Sequence, residues 1–231
     1  QYLNSIISIN QNIIEEAREK DKIKPESIFS LHGIPVLLKD NINYDGLATT
    51  AGSIALNDNI SNNAFVVDKL KNKGALILGK TNLSEWAYYF CNNCPSGYSA
   101  QGGQTLNPYG RKIFDSGGSS SGSGAAISAN FSSVSLGSET SGSILSPSSA
   151  NSIVGLKPTI GLVSRSGIVP ISSTLDTSGP MTKNVIDNAI VLKAISGYDQ
   201  NDNMSVSVDS IDLESIINSS LKGKRFGVFK D

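Results

Sequence analysis

Residues 116–152 contain 16 serines. A Ser/Gly-rich run is most often a flexible linker, because such residues bury little apolar area and restrain the backbone weakly. A linker here would cut the chain into two halves. The apolar residues inside the run argue against that. Ala125, Ala126 and Ile127 have helix-forming character, and Val134 and Leu136 alternate with serine as on a strand. The run therefore reads as packed secondary structure built from small residues, and at 231 residues the chain can form one to two domains.

Composition narrows the function classes. Hydrophobic residues make up 39% and charged residues 17%, which suits a globular chain rather than a disordered one. The formal net charge is −1, so no electrostatic reason exists to expect nucleic acid or an anionic membrane as partner. No apolar run approaches the roughly 18 residues a membrane helix needs. No basic region followed by an apolar stretch opens the chain, so a cytoplasmic location is expected. Gln1 is not an initiator residue, however, and a leader can precede it. Cys91 and Cys94 form a CxxC. Zinc would need two more ligands and His32 is the only other soft candidate, so the pair reads as incidental loop thiols.

Periodicity supplies the elements. Leu3, Ile6, Ile7, Ile13, Ile14 and Ala17 recur at helical spacing, with Glu15, Glu16, Arg18 and Glu19 on the other side. This predicts an amphipathic helix over about 2–20. Residues 34–38 and 75–78 read as buried strands. Between them, 64–70 reads as a helix capped by Asn62 or Asn63 and stopped at Gly74. A short helix or turn is expected over 84–90, then a polar, Gly-rich loop to Gly110. Residues 155–180 read as loop and strand, 185–195 as a helix after a polar entry at Thr182, and 226–229 as a strand. Alternating short strands and helices define an α/β fold.

Two motifs fail on context. Residues 74–81 match the phosphate-loop pattern GxxxxGK[ST], but the four middle residues, Ala75, Leu76, Ile77 and Leu78, look like the strand itself. A phosphate cradle needs those positions as a loop with exposed N–H groups. His32 is the only histidine, and no GxSxG elbow stands in a strand-to-helix setting to partner it. It reads as a polar residue at a strand entrance.

A serine nucleophile needs a base, and lysine is the other candidate. Lys39 directly follows the apolar run Val36-Leu37-Leu38. A lysine drawn into a low-dielectric site loses its charge readily and can then accept a proton. Two further pieces stand in order behind it: Gly117-Gly118-Ser119-Ser120-Ser121-Gly122-Ser123 and Glu139-Thr140-Ser141-Gly142-Ser143-Ile144-Leu145.

Order and spacing of these three pieces resemble the amidase signature family, Ser-cisSer-Lys hydrolases, over about residues 33–197. The stretches 82–87, 102–108 and 156–170 look closest to bacterial peptide amidases. The resemblance implies a single domain over residues 1–231, with a central twisted mixed β-sheet covered by helices on both faces, and no cofactor. It implies Lys39, Ser119 and Ser143 as the catalytic triad, with Ser143 the nucleophile and a cis peptide at Gly118–Ser119. Thr140, Ser141 and Gly142 fall where the family binds the oxyanion and substrate. A small-molecule or peptide amide is the implied substrate, and ammonia the product. Ser121, Ser141 and Leu145 depart from the usual glycine, glycine and arginine, which bears on the pocket more than on the triad. Family enzymes are longer, so part of the family fold is expected to be missing at the C-terminal end. Two alternative readings stand beside this one. One is a non-catalytic or truncated amidase-like domain, and the other is a glutamine-using amidotransferase component of a larger complex.

Overall fold

A computed structural model of the chain describes residues 3–25, 27–207 and 211–227. In chain order the elements are β1 (Ile6–Ile9), α1 (Ile13–Asp21), β2 (Pro35–Lys39), α2 (Phe65–Asn72), β3 (Leu76–Thr81), β4 (Tyr98–Ser99) and β5 (Gly103–Gln104). There follow α3 (Ser121–Ser128), β6 (Val134–Glu139), α4 (Leu145–Ala150), β7 (Val154–Gly155), β8 (Thr177–Thr182), α5 (Val185–Ile195) and α6 (Leu213–Ile217). Six strands form one sheet in the order β1-β3-β2-β6-β8-β7. The central β3, β2 and β6 are parallel, and β1, β8 and β7 join antiparallel. The sheet is thus mixed, and helices cover both of its faces.

The faces differ in chemistry. On one, Val36 and Leu38 of β2 and Leu136 of β6 pack with Val66, Val67 and Leu70 of α2 and Val191 and Ile195 of α5. Each such side chain contributes about 1.5–3 kcal/mol of hydrophobic stabilisation. On the other, α3 crosses β2, β3, β6 and β8 and packs against α4. Its sequence, with two glycines and three serines, is a poor helix former. Packing decides the matter, since residues 121–127 are all buried. A Cβ on Gly122 would stand 2.4 Å from the Ser5 carbonyl oxygen, so only glycine lets the helix lie this close. The Ser-rich run is therefore a close-packed layer and not a linker.

Three expectations need correction. The helix over 2–20 is replaced by β1 and the shorter α1. Isoleucine-rich residues 6–9 suit a strand, and β1 pairs Ser8 with Lys80 of β3. Asn10 separates the two elements: its side chain accepts the Asn12 N–H and donates to the Ile77 carbonyl, in competition with helical bonding. The cap of α2 is Ala64, not Asn62 or Asn63, with no side-chain cap bond. Asn63 instead accepts the Asp45 N–H and donates to Asp68. Cys91 and Cys94 are joined as a disulfide rather than left as thiols. Of the strand expected over 226–229, Phe226 and Gly227 carry no regular structure and the remainder lies outside the described residues. The motif at 74–81 is strand β3 entered from Gly74, whose φ of +86° closes α2.

Candidate active site

The parallel strands β2 and β6 end side by side, and their last residues carry the polar groups. Lys39 is the final residue of β2 and is fully buried. Leu37 and Lys39 lie on the α3 face, opposite Leu38, because side chains alternate along a strand. Lys39 Nζ donates to Ser119 Oγ at 2.7 Å, to Ser138 Oγ at 3.0 Å and to the Ser138 carbonyl at 3.2 Å. Burial brings the Lys39 pKa down from 10.5 to about 7, although Asp176 and Glu139 pull it upward from a distance. The amine is thus poised to exchange a proton near neutrality.

Ser119 stands at the entrance of α3, after a cis Gly118–Ser119 peptide. Its carbonyl accepts the Ser84 N–H at 3.0 Å, and its side chain is fully buried. The neighbouring Ser120 stitches this segment to the end of β6. Its N–H donates to the Ser143 carbonyl at 3.1 Å, and its hydroxyl donates to the Ser138 carbonyl and accepts the Ser138 N–H. Ser143 is therefore held next to Ser119 through backbone. The bond from lysine to the middle serine is formed, whereas Ser143 Oγ makes no hydrogen bond among the described residues.

The loop presenting Ser143 is wrapped around a carboxylate. Glu139 is 3% exposed and accepts three N–H groups: Gly142 at 2.8 Å, Ile144 at 2.7 Å and Leu145 at 2.9 Å. Charge-assisted bonds of this kind are short and strong. Gly142 has φ of +82°, and a Cβ added to it would meet nothing within 4 Å, so conformation rather than space requires glycine there. Because its N–H points to Glu139, Gly142 is not a free oxyanion donor. Of the expected donor set, the N–H groups of Thr140 and Ser141 remain, with that of Ser143 itself. Thr140 also holds the wall: its hydroxyl donates to Asp176 and its carbonyl accepts Lys157 Nζ at 2.6 Å. Asp176 in turn accepts the N–H groups of Ile171 and Ser172 at 2.7 and 2.8 Å.

Sequence reasoning missed Asn41, Ser120, Ser138, Glu139 and Asp176 as parts of this site. Asn41 Nδ2 donates to Ser138 Oγ at 2.8 Å, adding a second contact to the lysine's partner. A cavity of about 490 Å³ opens beside Ser138, Glu139, Thr140, Arg165 and Asp176. A second, of about 210 Å³, is lined by Ala51, Leu83, Trp86, Tyr89 and Phe90. His32 is elsewhere engaged: its Nε2 donates to the Lys20 carbonyl at 2.9 Å, and it is bonded to neither Ser119 nor Ser143. Among the described residues, no group of three or more His, Cys, Asp or Glu is placed to hold a metal ion. No helix among them is long and apolar enough to cross a membrane.

Comparison with known proteins shows the family. The family model for Amidase matches residues 1–231, and the chain belongs to that family. Among solved structures it is similar to the native peptide amidase from Stenotrophomonas maltophilia, with 48% identity and a TM-score of 0.86, over 91% of this chain and 44% of that one. An amidase family protein from Bacillus anthracis superposes with a TM-score of 0.88 at 47% identity, over 91% and 43% of the two chains. Among curated proteins, a probable amidase of Arabidopsis thaliana is 45% identical over 98% of this chain and 46% of its own length. A glutamyl-tRNA(Gln) amidotransferase subunit from Thermoanaerobacter pseudethanolicus is 43% identical, over 99% of this chain and 46% of its own length. The chain thus spans less than half the length of the relatives it matches.

Proposed function

We propose that this chain carries the catalytic centre of a serine amidase that cleaves a primary carboxamide, with peptide amides as the substrate class. The observation that carries the reading is the 2.7 Å bond from Lys39 to Ser119 inside a fully buried site. With its pKa near 7, Lys39 is largely neutral in mildly alkaline solution and offers a lone pair. Lys39 takes the Ser119 proton as Ser119 takes that of Ser143. Ser143 Oγ bonds to the carboxamide carbon, and the carbonyl electrons move to its oxygen. Backbone N–H groups at 140, 141 and 143 receive that oxyanion. Each such donor is typically worth about 2.7–4 kcal/mol. Collapse breaks the C–N bond, and the relay returns a proton to the leaving nitrogen, which departs as ammonia. Water then hydrolyses the Ser143 ester by the same route, releasing a carboxylic acid and free Ser143.

Similarity to peptide amidases supports the substrate class. Similarity to the amidotransferase chain supports a second reading, in which glutamine supplies ammonia within a complex. Ammonia release from N-acetylphenylalaninamide tests the first reading. Ser143→Ala is expected to lower it roughly 10⁴-fold or more. Wild-type release from that variant would overturn the proposal. Release from glutamine alone, and only with added partner proteins, would favour the second reading.

A further inference from the structure

The segment after β3 holds a turn that its own residues resist. Trp86, Ala87 and Tyr88 follow one another with φ of 49°, 52° and 72°. Residues other than glycine rarely take this left-handed region, and three in a row persist only where the surroundings hold them. Part of that hold is hydrogen bonding. The Trp86 N–H donates to the Ala51 carbonyl at 2.9 Å, and the Ala87 N–H to the Ser84 carbonyl at 2.8 Å. At the far end the Cys91 N–H donates to the Tyr88 carbonyl at 3.0 Å, and Cys91 is bonded to Cys94. Residues 92–95 are exposed. Fixed contacts resume at Ser96 and Gly97, whose carbonyls accept Gln104 Nε2 at 2.6 Å and the Thr105 N–H at 2.8 Å. The disulfide therefore clips the end of the turn to the anchored chain, across a span that no buried side chain holds.

The turn reaches the catalytic segment directly. A Cβ on Gly118 would stand 2.2 Å from the Tyr88 hydroxyl and 2.7 Å from Ser84 Oγ, so both groups lie against the residue before Ser119. Ser84 joins the two sides of the clip to that segment. Its N–H donates to the Ser119 carbonyl at 3.0 Å, and its hydroxyl accepts the Gly97 N–H at 2.9 Å. Trp86, Ala87, Tyr89 and Phe90 line the narrower cavity. Phe90, next to Cys91, meets the Trp86 ring edge-to-face at 5.7 Å.

We propose that Cys91–Cys94 is a site of thiol–disulfide exchange whose reductant is a dithiol, and that its state sets how firmly Tyr88 holds the Gly118–Ser119 segment. Cys94 is exposed and Cys91 half-buried, so access favours attack at Cys94. A thiolate of the reductant bonds to Cys94 Sγ, the sulfur–sulfur bond breaks, and Cys91 leaves as a thiolate. The reductant's second thiolate then displaces Cys94, closing a disulfide within the reductant. Two electrons pass to the protein, and its thiolates take up the two protons that the reductant gives up. Exposed disulfides are the labile ones, and a two-residue gap is the spacing of exchange-active pairs. Closing so short a loop adds little to global stability, so reduction frees the turn and leaves the fold intact. The exchange rests on the fold alone; its effect at Ser119 rests on the amidase reading.

Trp86 is the only tryptophan and reports on the turn. The wild-type chain is treated with dithiothreitol and followed by intact mass after N-ethylmaleimide, by Trp86 fluorescence, and by the rate at which a fluorophosphonate labels Ser143. Reduction is expected to yield two alkylable thiols in the folded protein and to shift the Trp86 emission. It should slow labelling roughly 10-fold or more, since a small misplacement of reacting groups has effects of that size. Reoxidation should restore all three signals. The Cys91→Ser, Cys94→Ser protein should label at the reduced rate and ignore dithiothreitol, which excludes an action of the reagent elsewhere. A disulfide that dithiothreitol leaves intact in the folded protein overturns the proposal, as does a double-serine variant that labels at the oxidised rate. If neither state is labelled while thiols and emission respond, the hydrolase reading fails and the exchange site stands. Labelling at one rate in both states does the reverse.

Discussion

Two fully buried lysines sit on adjacent strands and do different work. Lys39 ends β2 and Lys80 lies on β3, where it pairs with Leu38. Burial lowers both pKa values, to about 7 for Lys39 and about 8 for Lys80. Their partners separate them. Lys80 Nζ donates to the Ile42 carbonyl and to Thr49 Oγ1 at 2.9 Å, and Asp40 Oδ1 lies 3.7 Å away. Asp40 is further held by the Thr50 hydroxyl and by the N–H groups of Thr50 and Gly52. Burial still pushes the Asp40 pKa up, while Lys80 draws it down. This pair fixes the turn that follows β2. Lys39 meets two hydroxyls and a carbonyl, with its carboxylates acting only at a distance. A buried lysine paired with a carboxylate is a structural clamp, and one facing hydroxyls is available as a base.

The comparison breaks if the two lysines respond alike to removal. Lys39→Ala should lower kcat/KM for N-acetylphenylalaninamide by about 10²–10⁴-fold, the usual share of a general base. Lys80→Met should act on stability instead. It strands Asp40 in the interior, and breaking a buried pair costs about 3–5 kcal/mol. Thermal unfolding should show a Tm lower by roughly 6–20 °C, with near wild-type ammonia release per folded molecule. Equal losses of turnover in both variants would erase the distinction.

Asp176→Asn sharpens the comparison with a smaller effect. In the proposed relay Lys39 acts as the neutral amine, so kcat/KM should rise with pH through about 7 in the wild type. Asp176 stabilises the charged amine and so raises that pKa. Removing its charge should move the rising limb to lower pH. A limb that stays in place would show that Asp176 serves the loop at 171–172 and not the base.

Much of the site can be read locally, and the reason lies in where each residue's role is set. Lys39 is legible because it closes an apolar run, whereas Ser119 and Ser143 are picked out by the resemblance of their Gly/Ser-rich segments to the amidase signature family. Ser138 and Asn41 are not legible. Their bond spans 97 positions, and neither residue is unusual at a strand end. Glu139 reads as the polar tail of a strand until the chain at 142–145 folds back onto it. The first helix fails for a related reason. Isoleucines at 6, 7, 13 and 14 fit a helical period, but Asn10 and the free edge of β3 place 6–9 in the sheet.

What the sequence determined by itself is the α/β alternation, the layer of small residues and the apolar run that buries Lys39. Each depends on local periodicity or on the intrinsic chemistry of a side chain. The tertiary structure decided the rest. It chose which buried lysine faces hydroxyls and which faces a carboxylate. It also consumed the Gly142 N–H and joined Cys91 to Cys94. Partner and solvent access come from chain segments far apart in sequence, so pKa and hydrogen bonding emerge only when those segments pack.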